Sequence, residues 1–344
     1  MKKNIKAKKK KKKIIIIPVV ILIILAIGAS GTLLFINSKL SKVNGVSISK
    51  KPSDLGIKTQ NFDDSNIDKN YTNILLLGVD TRDPNTNLGL ADSIMILTID
   101  KTHNKIKITS LMRDMLIDNI RGEGVTAGTT QDRINVIYKE GGGQYSIKAI
   151  NDNFDMNIKD YIKVNFGDFD KIVDAVGGVD IDISSDEVKV ANGYIDEVSK
   201  LQNIAPQHLT HGGLQHLNGI QALGYCRIRY VGNEDFQRTE RQRTVLTAVF
   251  KKLSSLNVVQ ASSMLDTILP DVETSLSKTD MLSETSSIII NKTKTIEQFR
   301  LPEDKPGYNY TTTIKGTYFL GWNKALNNAD LHKFIFEEDA SKVK

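Results

Sequence analysis

Residues 73–83 read NILLLGVDTRD, residues 91–100 read ADSIMILTID, and residues 105–114 read KIKITSLMRD. Each is an apolar run bounded by charged and turn-forming residues, the pattern of strands separated by turns. The spacing predicts strands over 73–79, 93–100 and 105–112, with a tight connection at 101–104. If consecutive strands pair as hairpins, the end of the first, the start of the second and the end of the third share one sheet edge. Asp80, Arg82, Asp92, Arg113 and Asp114 would then gather on that edge.

Outward from this stretch, strands and helices intermix. Residues 121–132 read as a glycine-bearing loop and 144–153 as a helix. A strand over 161–166 leads to a helix over 168–176, stopped by Gly177 and Gly178. Residues 179–183 alternate apolar and acidic positions as a half-buried strand does, and 184–215 read as a long, polar, irregular loop. A helical turn over 217–223 is expected to lead into a strand over 224–230. Residues 235–253 read as a helix, with Val245, Leu246, Val249 and Leu253 at core spacing. Two more helices are expected within 257–291, late strands at 295–300 and 318–322, and a final helix over 327–336. This order predicts one α/β domain over 71–340, an α/β/α sandwich-like body with a mixed central sheet flanked by helices.

Residues 14–36 carry no charge and follow an unbroken lysine run at 8–13. As a helix, 23 residues reach about 35 Å, enough to cross a bilayer core. The lysines hold residues 1–13 in the cytoplasm, so everything beyond residue 37 faces outward, with 37–70 as a spacer. A cleaved signal peptide is the rival reading, since Ala26, Gly28, Ala29 and Ser30 supply small residues after an apolar run. The extension of that run through 32–36 favours a retained anchor. The net charge of +6 belongs to the tail, because residues 1–13 hold nine lysines and the rest of the chain has 37 basic against 40 acidic residues. A general nucleic-acid surface is therefore not supported. Cys226, the single cysteine, permits no intramolecular disulfide, and its apolar neighbours predict a buried thiol.

Chemistry concentrates in two places. Two carboxylates across a hairpin edge, Asp80 and Asp92, suit a hard divalent cation, and spacing alone equally allows solvated turn aspartates. The second place is arginine-rich: five of the ten arginines lie between 227 and 243. Arg227 and Arg229, two apart, would project from one strand face. Arg238, Arg241 and Gln242 would share a helix face near its N-terminus, a setting that favours a phosphate-like anion. His208, His211 and His216 lack the partners of a zinc site and read as loop polarity. The glycines around 122 and 141 lack the lysine of a phosphate loop.

The strings NILLLGVDTRD, ADSIMILTID, SLMRD, RINVIY with its GGG, IVDAVGGVDI, LNGIQALGYCRIRY and DFQRTERQR, in this order within 71–253, resemble the LytR-CpsA-Psr proteins of Gram-positive cell envelopes. The resemblance implies transfer of a glycopolymer, such as teichoic acid or capsule, from a polyprenyl (undecaprenyl) pyrophosphate carrier to peptidoglycan at the cell membrane. It implies Mg²⁺, with Mn²⁺ as a substitute, on Asp80 and Asp92. It implies pyrophosphate contacts at Arg82, Arg113, Arg133, Arg227, Arg229, Arg238, Arg241 and Gln242. On this reading Arg113 and Arg227 neutralise the departing polyprenyl phosphate, and Asp92 or Asp235 takes the proton of an attacking sugar hydroxyl. One position departs from the family pattern: Gln237 stands where a glycine is usual before the arginine. Hydrolysis of the lipid pyrophosphate, or a non-catalytic lipid-binding or regulatory role in the envelope, are the competing readings.

Overall fold

The computed structural model describes residues 40–62, 67–80, 88–118, 131–229, 231–232, 234–255, 266–290 and 295–343. Along the chain come the strands β1 (Asn44–Gly45), β2 (Tyr71–Asp80), β3 (Leu90–Asp100), β4 (Lys105–Leu111), β5 (Leu116–Asp118) and β6 (Gln131–Arg133). After helix α1 (Ile137–Phe154) follow β7 (Asp160–Asn165), α2 (Phe166–Ala175), β8 (Val179–Ile183), α3 (Ser185–Leu201), β9 (Gly213–Leu217), α4 (Gly219–Cys226) and α5 (Glu234–Ser255). The chain ends with β10 (Val272–Thr274), α6 (Lys278–Ile290), β11 (Thr295–Leu301), β12 (Asn309–Ile314), β13 (Thr317–Trp322) and α7 (Lys324–Phe336).

The central sheet is mixed, in the order β1-β10-β7-β2-β3-β4-β11. The expected hairpins are present: β2 pairs antiparallel with β3, and β3 with β4. Their residues are apolar on both faces because both faces are covered. Ile74, Met95, Leu97, Ile106 and Ile108 pack with residues of α2 to α5, such as Ile172, Ile195, Ala222 and Val245. Leu75, Leu77, Ile94, Ile96 and Leu111 pack on the other side with Ile147, Phe154, Leu331 and Phe336 of α1 and α7. The sandwich is thus as expected, a mixed sheet between two helical layers.

Two local readings are overturned, and a third is met in part. Residues 184–215 are not an irregular loop, for 185–201 form α3. Ser184 and Glu187 make a reciprocal capping box, and Val188, Ala191, Ile195 and Val198 form its buried stripe. Residues 224–230 are not a strand. Asn218 and Gln221 cap α4, which runs through Cys226, so Arg227 is its C-cap and Arg229 lies in the irregular segment that follows. Gly224 lets the two helices close up, since a Cβ there would lie 2.8 Å from Ile195 Cγ1 and 3.1 Å from the Ala191 carbonyl. Within 257–291, α6 is one expected helix, and the stretch also contains the short strand β10; 256–265 lie outside the described residues.

The segment expected as a spacer is docked on the domain over 40–62. β1 pairs parallel with β10, and Leu40 and Leu55 are buried. Among the described residues no helix is long and apolar enough to cross a membrane, and the 14–36 run lies outside them.

One ion-pair network ties the sheet to the last helix. Lys107 of β4 is fully buried, its Nζ 2.7 Å from Asp100 and 3.0 Å from Glu337, and it donates to the Ile335 carbonyl at 2.7 Å. Asp100, His103 and Glu337 crowd together as metal ligands would, but the ammonium groups of Lys105 and Lys107 already neutralise them. Burial alone would raise the Glu337 carboxyl, yet hydrogen bonds from Lys105 and Lys107 outweigh it and hold the group near 2. Lys107→Met would leave the buried Asp100 with only His103 beside it, so it should cost up to about 3–5 kcal/mol. Chemical denaturation reads this directly, and an unchanged midpoint would refute the role given to Lys107.

Candidate functional site

Asp80 ends β2 opposite Leu90, and Val79 pairs with Ala91 while Gly78 pairs with Ser93. Asp92 is therefore the extra residue of a β-bulge. Such a bulge bends the strand and re-aims the side chain it carries, which sets Asp92 on the edge where Asp80 ends. Arg113, just beyond β4, donates from NH1 to Asp92 Oδ1 at 2.9 Å, and its Nε is 3.4 Å from Asp114. Arg133, at the end of β6, reaches the other oxygen of Asp114 at 3.6 Å. Its Nε donates to the Tyr318 carbonyl, and its guanidinium lies 5.6 Å from the centre of the Phe319 ring. Of the charged edge anticipated from the sequence, Asp92, Arg113 and Asp114 are joined, with Arg133 added, as a chain of alternating carboxylates and guanidiniums. Arg82 lies outside the described residues.

The arginine-rich stretch stands across a groove from this edge. Arg227 donates to Glu197 at 2.9 Å and lies 5.2 Å from the centre of the Tyr194 ring. Arg229 is half-buried, and Arg238, Arg241 and Gln242 are buried on α5. Arg241 does not point into open space as a pyrophosphate contact would. It donates to Glu187 at 2.7 Å and to the carbonyls of Ile228 and Val231 at 3.1 and 2.9 Å. It braces the 228–231 segment that presents Arg229. Asp235 belongs to α5, but its side chain is not among those described. Gly232 holds φ +79°, and a Cβ there would strike the amide of Gln237, so the residue in the family's glycine position lies against the same turn.

Between the two halves runs an apolar groove of about 750 Å³, mouth included. Its floor comes from Gly78, Ser93, Met95 and Ile162 and its far wall from Gln242 and Leu246. Gly78 and Ser93 lie next to the strand ends that carry Asp80 and Asp92, and Gln242 and Leu246 belong to the arginine-bearing helix. Cys226 also lines it; its thiol is buried as expected, though it ends a helix and not a strand, and burial pushes its pKa up.

Sequence reasoning missed the carboxylates that hold this helix. Glu187 and Glu197 sit on α3, whose existence was overlooked, and only the Ser184-x-x-Glu187 capping box advertised it. It anticipated the strand at 318–322, but not its partner β12 or that this hairpin supplies the Tyr318 carbonyl and the Phe319 ring to Arg133. The three histidines do not converge: His208 pairs with Asp196 and His216 with Asp180, while His211 turns to the Gly212 carbonyl.

A family model for the LytR_cpsA_psr family matches residues 31–332. The chain belongs to this family. A polyisoprenyl-teichoic acid–peptidoglycan teichoic acid transferase TagU of Halalkalibacterium halodurans is 31% identical over 72% of this chain and 72% of its own length. The TagU of Bacillus mycoides is 34% identical over 67% of this chain and 68% of its own. In keeping with such relatives, the LytR-CpsA-Psr chain described above is a transferase enzyme. Among solved structures, Bacillus subtilis TagT superposes with a TM-score of 0.57 at 22% identity, over 78% of this chain and 92% of that one. TagT with bound octaprenyl pyrophosphate lipid gives 0.58 at 21% identity, over 85% of this chain and 99% of that one. At such identity these structures bear out the fold, a mixed sheet flanked by helices.

The Arg241 brace is testable through pH. Burial alone would raise the Glu187 carboxyl, but hydrogen bonds from Ser184 and Arg241 outweigh it and hold it below its ordinary 4.5. A depressed carboxylate gives its full stability above the unfolded value and loses it as pH falls through the folded one. Amide exchange in 228–231 should therefore be constant from pH 7 to 5 after correction for intrinsic rates, and accelerate below about 4. Glu187→Gln should raise exchange already at pH 7, and wild-type protection there would rule the brace out.

Proposed function

We propose that this chain transfers a glycopolymer from a polyprenyl pyrophosphate carrier to peptidoglycan, leaving a phosphodiester link. The observation that carries the reading is the apolar groove between the Asp80–Asp92–Arg113 edge and the arginine helix. A polyprenyl tail needs a dry slot and a pyrophosphate needs converging cations, and the two are adjacent here. What the relatives' names state, teichoic acid transfer to peptidoglycan, supports the donor and acceptor classes. Teichoic acid and capsule are both compatible with the site.

In this reading Arg113 and Arg133 bind the pyrophosphate from the sheet side, and Arg82 is a further contact. Arg227, Arg229 and Arg238 bind it from the helix side, Gln242 orients it at the mouth of the groove, and Arg241 acts as a positioning residue. Arg113 and Arg227 neutralise charge on the departing polyprenyl phosphate. Asp92 or Asp235 takes the proton of the attacking sugar hydroxyl. Asp80 and Asp92 fit Mg²⁺, with Mn²⁺ as a substitute: both are carboxylates on one edge, and only Asp92 Oδ1 is engaged by Arg113, leaving Oδ2 without a hydrogen bond or ion pair among the described residues. The ion, when bound, supplies charge neutralisation between phosphate oxygens. Residues 14–36 would anchor the enzyme as a single pass, with residues 1–13 in the cytoplasm and the domain outside, where peptidoglycan lies.

The test uses the full chain in detergent with an octaprenyl-pyrophosphate-linked glycan, Mg²⁺ and peptidoglycan, followed by mass analysis. The expected product is a polymer–glycan adduct. Arg113→Ala and Arg227→Ala should each lower its formation by roughly 10²–10³-fold, and chelation should stop it until Mg²⁺ or Mn²⁺ is returned. Release of polymer phosphate without adduct would make the protein a hydrolase instead. Full transfer by either variant would remove the arginines from the reaction.

A further inference from the structure

α5 has a second flank. The apolar groove lies on one side, over β7, β2 and β3, where Gln242 and Leu246 face it. On the other side, over β4 and β11, Arg243 of α5 meets Arg300 of β11 in a cleft of about 470 Å³, mouth included, walled also by Gln298, Phe299, Glu303 and Asp304. Burial lowers the proton affinity of both guanidiniums, and the neighbouring Arg300 charge adds to it for Arg243, bringing Arg243 to about 10.

What matters is how little compensates them. Arg243 donates from NH1 to the neutral hydroxyl of Ser110 at 3.2 Å. Arg300 lies over the Phe236 ring, 4.3 Å from its centre. Neither forms an ion pair with a carboxylate among the described residues, and the Nε of each is shut off from solvent without a hydrogen-bond partner. Of the nearby acids, Glu303 is engaged with Lys305 at 2.9 Å, and Asp304 and Glu240 are exposed. The other buried arginine of the helix with a fully described contact set, Arg241, has a carboxylate at 2.7 Å. Glu240, Glu303 and Asp304 act on these cations only from a distance, without an ion pair among the described residues, and two adjacent, half-buried cations so weakly offset are costly unless something anionic enters the cleft.

We propose that the Arg243–Arg300 cleft binds a phosphate group of the glycopolymer chain, beyond the pyrophosphate. This rests on the functional reading above. Arg300 is in register with Ser110, three residues before Arg113 on the neighbouring strand, so a polymer leaving a pyrophosphate beside Arg113 along that flank of α5 would meet the two guanidinium forks. The ligand class is a phosphodiester-bearing glycan, and a neutral glycan would gain nothing from these residues.

Calorimetry on the full chain in detergent tests this with four probes: an oligo(glycerol phosphate), a neutral oligosaccharide of similar length, inorganic phosphate, and octaprenyl pyrophosphate. The oligo(glycerol phosphate) should bind, and more weakly at higher salt. Arg300→Gln and Arg243→Gln should each weaken it about 10-fold or more, while binding of octaprenyl pyrophosphate stays as in wild type. Arg300→Lys, which keeps the charge and loses the fork, should fall between. Both glutamine variants remove an uncompensated buried cation, so they should melt at or above the wild-type temperature. In wild type, but not in Arg300→Gln, the oligomer should raise that temperature. Equal binding by the glutamine variants, equal binding of the neutral oligosaccharide, or binding of inorganic phosphate without the oligomer would each overturn the assignment. Failure of octaprenyl pyrophosphate to bind wild type would strike the functional reading, while the oligo(glycerol phosphate) arm still reports on the cleft.

Discussion

The pairing of β2 with β3, slipped by one residue at Gly78 and Val79, is the constraint on which the site depends. A regular ladder would continue the two-residue alternation to the end of both strands and send Asp92 to a face already packed with apolar side chains. The bulge releases it to the edge, where Arg113 holds it. From that contact the charge alternation runs on through Asp114 to Arg133, so one irregularity in one hairpin organises residues from three separate strand ends.

Across the groove the problem is different, because arginines in a helix that packs against a sheet are partly buried before any substrate arrives. The protein answers it with α3. Glu187 and Glu197 come from two levels of that helix and meet Arg241 and Arg227. Helix α3 therefore does more than cover the sheet: it fixes the irregular segment between α4 and α5. Arg243 and Arg300, on the far flank, lack such partners among the described residues, which separates arginines satisfied by the fold from those left for a ligand.

The sheet and its charged edge were legible because both faces of the opening strands are buried, which leaves long apolar runs ending on charged residues. Where the signal was weak or misleading, packing had decided the outcome. Residues 224–230 alternate Tyr225, Arg227 and Arg229 with Cys226 and Ile228 and so imitate a strand, yet the Asn218 cap and the close approach of Gly224 to α3 make the first part a helix. In 185–201 the buried stripe is diluted by seven charged or amide side chains, and the helix announces itself at its capping box alone. A three-residue strand such as β10 carries no periodicity to read; its place is set by β7 and β1 on either side. The bulge at Asp92 was equally silent, since nothing in ADSIMILTID distinguishes a slipped register from a regular one. Both carboxylates could be named, but not the device that brings them together.

The docking of residues 40–62 has a geometric consequence. Given the anchor proposed for 14–36, only the few residues before Leu40, itself buried in the core, are left to join membrane and domain. Four residues fully extended span at most about 14 Å. The catalytic body is then moored close to the bilayer instead of drifting on a long leash. On the proposed function, the fold itself would set the height at which a lipid head meets the groove, and an acceptor strand would have to come down to the membrane surface to be modified.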